Sequence, residues 1–130
     1  MIASIPLLAF VVAAYTALAL VVPIWLDSVL FVLPLLSGAA LPFRGGDLLL
    51  VMGLLLLCVE IYRATSSSSA AILNHVFSLV VFIIALIELL VMPQMAGMTF
   101  FLILLMTLID VITGFTVTIS SARRDMQHPS

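Results

Sequence analysis

Asp110 is the residue of this chain best placed to do chemistry. It stands near the middle of the apolar stretch Met98–Ile119, MTFFLILLMTLIDVITGFTVTI, which is long enough to cross a bilayer. A carboxyl at that depth is costly and faces protein or water rather than lipid. Two kinds of chemistry suit it. One is binding of a proton or cation along a transport path. The other is a hydrogen-bonded tie between helices, with Thr107, Thr113 or a group of the second span as partner. No second charged group is expected at the same depth, which favours the tie.

The remaining reactive side chains fall in other layers. At ~5.4 Å per helical turn, Glu60 and His75 each lie about one turn from the boundary nearer the C-terminus, so they can hydrogen-bond to each other, or Glu60 can pair with Arg63. Glu88 lies near the opposite boundary, level with Asp47 and Arg44, and an Arg44–Glu88 contact is expected there. A metal site is not expected. The only other histidine is His128, and no two ligand-type side chains stand at i, i+4 spacing. The lone Cys58 rules out an internal disulfide and reads as a small hydrophobe. No catalytic triad, phosphate-cradling glycine loop or cysteine pair appears, so neither an enzyme nor a cofactor is expected.

Helical periodicity arranges these residues into stripes. Asn74, Ser78, Val81, Ala85 and Glu88 share one face of the third apolar run. Thr107, Asp110, Gly114 and Thr118 share a face of the fourth, and Gly46, Gly53 and Glu60 a face of the second. Ala9, Ala13 and Ala17 recur every fourth residue in the first. Small and polar residues in a membrane helix belong at helix contacts, so Gly53, Gly114 and the three alanines are read as packing positions.

Composition names the solvent. The mean hydropathy is +1.46 and only 8% of the 130 residues are charged, against about 25% in soluble domains. An integral membrane protein follows, as one domain over residues 1–130, with lipids as its surroundings. With four arginines and no lysine, the chain lacks a basic face for nucleic acid.

The expected fold is all-α, with four transmembrane helices at about 5–22, 47–63, 71–92 and 98–120. The first run has no basic residue ahead of it and is too long for a signal-peptide core of ~7–15 residues, so it is read as a span. Residues 24–44, broken by Asp27, Pro34, Ser37-Gly38 and Pro42, are read as an extended hairpin or re-entrant element on the outer membrane face, in preference to a fifth span. Ser37-Gly38 would be its turn and Trp25 an interfacial anchor. Asp47 is read as a helix-start cap. The polar link ATSSSSA is expected to be a flexible loop, and 124–130 a disordered tail. Arg63, Arg123 and Arg124 fall on one face and Arg44 on the other. The positive-inside rule then puts both termini in the cytoplasm.

GGDLLL (45–50) and IDVITGFTVTISSARRD (109–125) resemble the corresponding stretches of small bacterial four-span membrane proteins of unknown function. That resemblance implies a place in the bacterial inner membrane and an SG turn flanked by extended arms; it implies no activity. The expected role is a non-enzymatic structural or accessory subunit, packing against another membrane protein or against itself. The alternative is a small oligomeric channel or proton-coupled transporter with Asp110 as the titrating group.

Overall fold

A computed structural model describes residues 5–64 and 69–127. The order of elements is α1 (Leu8–Val21), α2 (Pro23–Asp27), β1 (Val29–Pro34), β2 (Ala40–Arg44), α3 (Gly45–Ala64), α4 (Ser69–Val91), a 3-10 turn (Pro93–Met95) and α5 (Met98–Gln127). Gly45–Ala64, Ile72–Val91 and Met98–Val117, of 20 residues each, are long and apolar enough to cross a membrane. At ~1.5 Å per residue each covers roughly 30 Å, the thickness of the hydrocarbon core.

The first apolar run gives a shorter helix than expected. Its 14 helical residues span only about 21 Å, because proline bounds it at both ends. Pro6 accepts the Ala9 N–H at its carbonyl as the helix begins. At the far end, Pro23 forces Val22 out of the helical region, to φ −136°, ψ 63°. Pro23 then opens the five-residue α2, where a missing N–H costs nothing.

Residues 29–44 form an antiparallel hairpin, with Phe31 opposite Phe43, Val32 opposite Pro42 and Pro34 opposite Ala40. Its bend passes through Gly38 at φ +89°, a conformation that favours glycine, and Leu35 N–H closes it onto the Ala39 carbonyl at 2.9 Å. Both prolines occupy positions alternate to that bonded pair. Backbone N–H groups there point away from the ladder, so proline removes no rung. The Phe31 and Phe43 rings stack at 4.7 Å. The whole of β1 is exposed.

The turn from hairpin to α3 is tightly built. Arg44 N–H donates to Asp47 Oδ2 at 2.9 Å, which is one half of a capping box. Gly45 lies under Trp25, where a Cβ would overlap the Trp25 carbonyl and ring. Among the described residues α5 is the central helix, packed against both α3 and α4, while α1 lies across α3, α4 and α5. Gly53 lets Met106 in: a Cβ there would stand 2.8 Å from Met106 Sδ. Tyr15 packs on Phe100, with ring centroids 5.2 Å apart. The core continues through Leu8, Val11, Leu57 and Ile103. Cys58, Leu54 and Leu55 of α3 point outward.

Helix α5 runs on to Gln127, so residues 124–127, expected to be a disordered tail, are helical. Residues 65–68 of the expected loop and 128–130 lie outside the described residues.

Candidate functional site

The polar stripes of α3, α4 and α5 converge on one seam inside the bundle. Glu60 is 1% exposed and Asp110 4%, and Asn74, Ser78 and Thr107 are buried with them. Charges buried at that level must be paired or hydrogen-bonded.

Asp110 finds its partner on α4. Ser78 Oγ lies 3.0 Å from Asp110 Oδ2 and also 2.9 Å from the carbonyl of Asn74, one turn earlier. The expected partner Thr107 instead donates to the Leu104 carbonyl at 2.6 Å, within its own helix. Ser78 was legible as a member of the α4 stripe. Its pairing with Asp110 depends on the axial offset of two helices, which the sequence does not specify.

Glu60 has a second structural duty. One of its carboxylate oxygens accepts the Leu7 N–H, at the start of α1. A carboxylate there satisfies a helix-start donor and complements the positive end of the helix dipole. Arg63 lies 3.6 Å from the same oxygen, which is the intrahelical pair foreseen. No hydrogen bond joins Glu60 to His75 among the described residues. The His75 ring instead packs over Gly114, where a Cβ would stand 2.5 Å from Nδ1.

Asp110 has a hydroxyl partner in the seam. It sits level with Ser78, in the first half of α4, and shares the buried seam with Glu60 and Thr107. Two seam atoms have no partner among the described residues, Glu60 Oε2 and Asn74 Nδ2.

Glu88 and Arg44 do not meet as expected. Thr16 Oγ1 reaches Glu88 Oε2 at 2.7 Å and the Val12 carbonyl at 2.8 Å. Arg44 donates from its guanidinium to the Asp27 carbonyl at 2.7 Å, tying hairpin to α2. Thr16 was missed in the sequence, although its hydroxyl stands out within the alanine-rich run. Ala9, Ala13 and Ala17 line an open groove of about 410 Å³ with Val12, Thr16, Val81, Ile84 and Glu88. Arg123 is exposed, whereas the side chain of Arg124 lies outside the description. No cluster of three or more metal-type side chains occurs among the described residues. Comparison with known proteins found no family model, curated protein or solved structure that matches this chain.

Proposed function

We propose that this chain is a non-enzymatic structural or accessory subunit of the bacterial inner membrane, packing against another membrane protein or against copies of itself. In this reading it crosses the membrane four times with both termini cytoplasmic. The fourth crossing combines α1 with the residues flanking it, and the hairpin lies at the outer face. The positive-inside rule supports that orientation through Arg63, Arg123 and Arg124.

The observation that carries the role is the groove between α1 and α4. It presents Ala13 and Ala17 exposed to the surroundings, and small residues let a neighbouring helix approach closely. The polar seam, by contrast, finds most of its partners inside the chain and needs no second protein. Purification in mild detergent followed by native mass spectrometry tests the role. The expected result is a stoichiometric complex or a homo-oligomer that Ala13→Leu with Ala17→Leu disperses. A monodisperse monomer, or a complex indifferent to those substitutions, would contradict it.

One observation favours a second reading, the oligomeric channel or proton-coupled transporter. Glu60 and Asp110 share a seam, and two interacting acids are what a coupled site uses. The first reading is preferred because Asp110 is already hydrogen-bonded to Ser78 and is 4% exposed.

A further inference from the structure

Ser78 presents an accounting problem in hydrogens. Its hydroxyl oxygen lies within bonding distance of two acceptors, the Asn74 carbonyl at 2.9 Å and Asp110 Oδ2 at 3.0 Å. A serine hydroxyl carries one hydrogen and two lone pairs. If Asp110 were ionised, that single hydrogen would be divided between two acceptors in a buried site. If Asp110 is the acid, its O–H donates to Ser78 Oγ, and Ser78 gives its own hydrogen to Asn74. Each oxygen in the chain then has a complementary partner.

Charge counting gives the same answer independently. Glu60 and Asp110 are 1% and 4% exposed, and within the seam the cation against them is Arg63, 3.6 Å from Glu60 and 28% exposed. With His75 neutral, one negative charge is left over among the described groups, and an uncompensated carboxylate in a low-dielectric interior is strongly unfavourable. Groups of either charge facing Asp110 are Glu60 and Arg63 from α3 and His75 from α4, while α1 contributes the neutral Leu7 N–H at Glu60.

Two atoms of the seam are left over. Among the described residues Glu60 Oε2 is an acceptor without a donor, and Asn74 Nδ2 a donor without an acceptor. Counting from the link between α3 and α4, residues 60 and 74 stand at similar depth on these antiparallel helices. A water accepts from the amide and donates to the carboxylate, whereas a metal cation would be repelled by the amide hydrogens.

We propose that the seam is a proton-binding site. Asp110 holds one exchangeable proton directed at Ser78, and one water bridges Asn74 and Glu60. This goes beyond the accessory role and does not depend on it, because the residues it uses all belong to one chain.

Infrared difference spectroscopy of the full chain in lipid at neutral pH tests the site. The expected result is a hydrogen-bonded protonated-carboxyl stretch that shifts in D2O, is lost in Asp110→Asn and persists in Glu60→Gln and Glu88→Gln. Ser78→Ala should move that stretch to the position of a free carboxyl. An O–H band sensitive to H2(18)O should disappear in Asn74→Leu. The wild-type spectrum and Ser78→Ala keep the test decisive should Asp110→Asn not fold. A wild type with no protonated carboxyl overturns the proposal, since the proton would then be absent or on His75. So does a carboxyl stretch indifferent to Ser78→Ala, or one removed by Na+ or K+ at constant pH. An O–H band unaffected by Asn74→Leu overturns the bridging water.

Discussion

Asp110 and Glu88 are two acids seated in the same way and surrounded differently. Each lies against a hydroxyl that also reaches the carbonyl one turn back on its own helix, Ser78 for Asp110 and Thr16 for Glu88. Asp110 is enclosed by α3, α4 and α5 at 4% exposure. Glu88 is only half-buried and borders the open groove between α1 and α4. The local chemistry is shared, so the difference lies in packing. In the proposed accessory role the enclosed acid would serve the fold, and the acid at the groove would meet a neighbour.

That comparison is open to experiment, and the largest effect is expected at the enclosed end. Gly114→Ala puts a Cβ 2.5 Å from His75 Nδ1 and 2.8 Å from its Cγ, so the ring must move. The loss should be ~1–3 kcal/mol, as for overpacking generally, read by unfolding in detergent. A neutral result would mean that His75 is not held in the seam.

The two hydroxyls should then separate. Ser78→Ala removes an interhelical bond in the closed seam and should cost about 1–2 kcal/mol, the upper range for such bonds in membranes. Thr16→Val, beside the groove, should cost roughly 0.6 kcal/mol, nearer the average. Equal losses would erase the distinction between the two sites.

The smallest expected effect is a coupling of zero. Arg44 and Glu88 are each bonded elsewhere, so Arg44→Ala and Glu88→Ala should be additive within ~0.5 kcal/mol. A larger coupling in a double-mutant cycle would restore the contact anticipated from their shared depth.

Periodicity and turn chemistry made much of the fold legible. The stripe Asn74, Ser78, Val81, Ala85, Glu88 is the face that α4 turns inward, since spacing along one helix determines which residues share a face. Gly38 at positive φ makes the turn anticipated at Ser37-Gly38, and Pro34 and Pro42 fit because their ring nitrogens face out of the ladder. What the sequence left open concerns relations between elements. Depth alone suggested Arg44 for Glu88 and isolation for Asp110. Lateral position and axial offset instead gave Thr16 to Glu88 and Ser78 to Asp110. The alanine spacing showed a smooth helix face without showing what lies against it. Helix α5 continues past Arg123 because SARRDMQ contains no proline or glycine to stop it.

In the proposed role Asp110 ties helices together and does not pass ions. Proton flux into liposomes reconstituted with the wild-type chain, compared with Asp110→Asn, tests this most directly. The expected flux is no greater than in protein-free liposomes for both proteins. A pH-dependent flux in the wild type that Asp110→Asn abolishes would contradict it and establish the transport reading in its place.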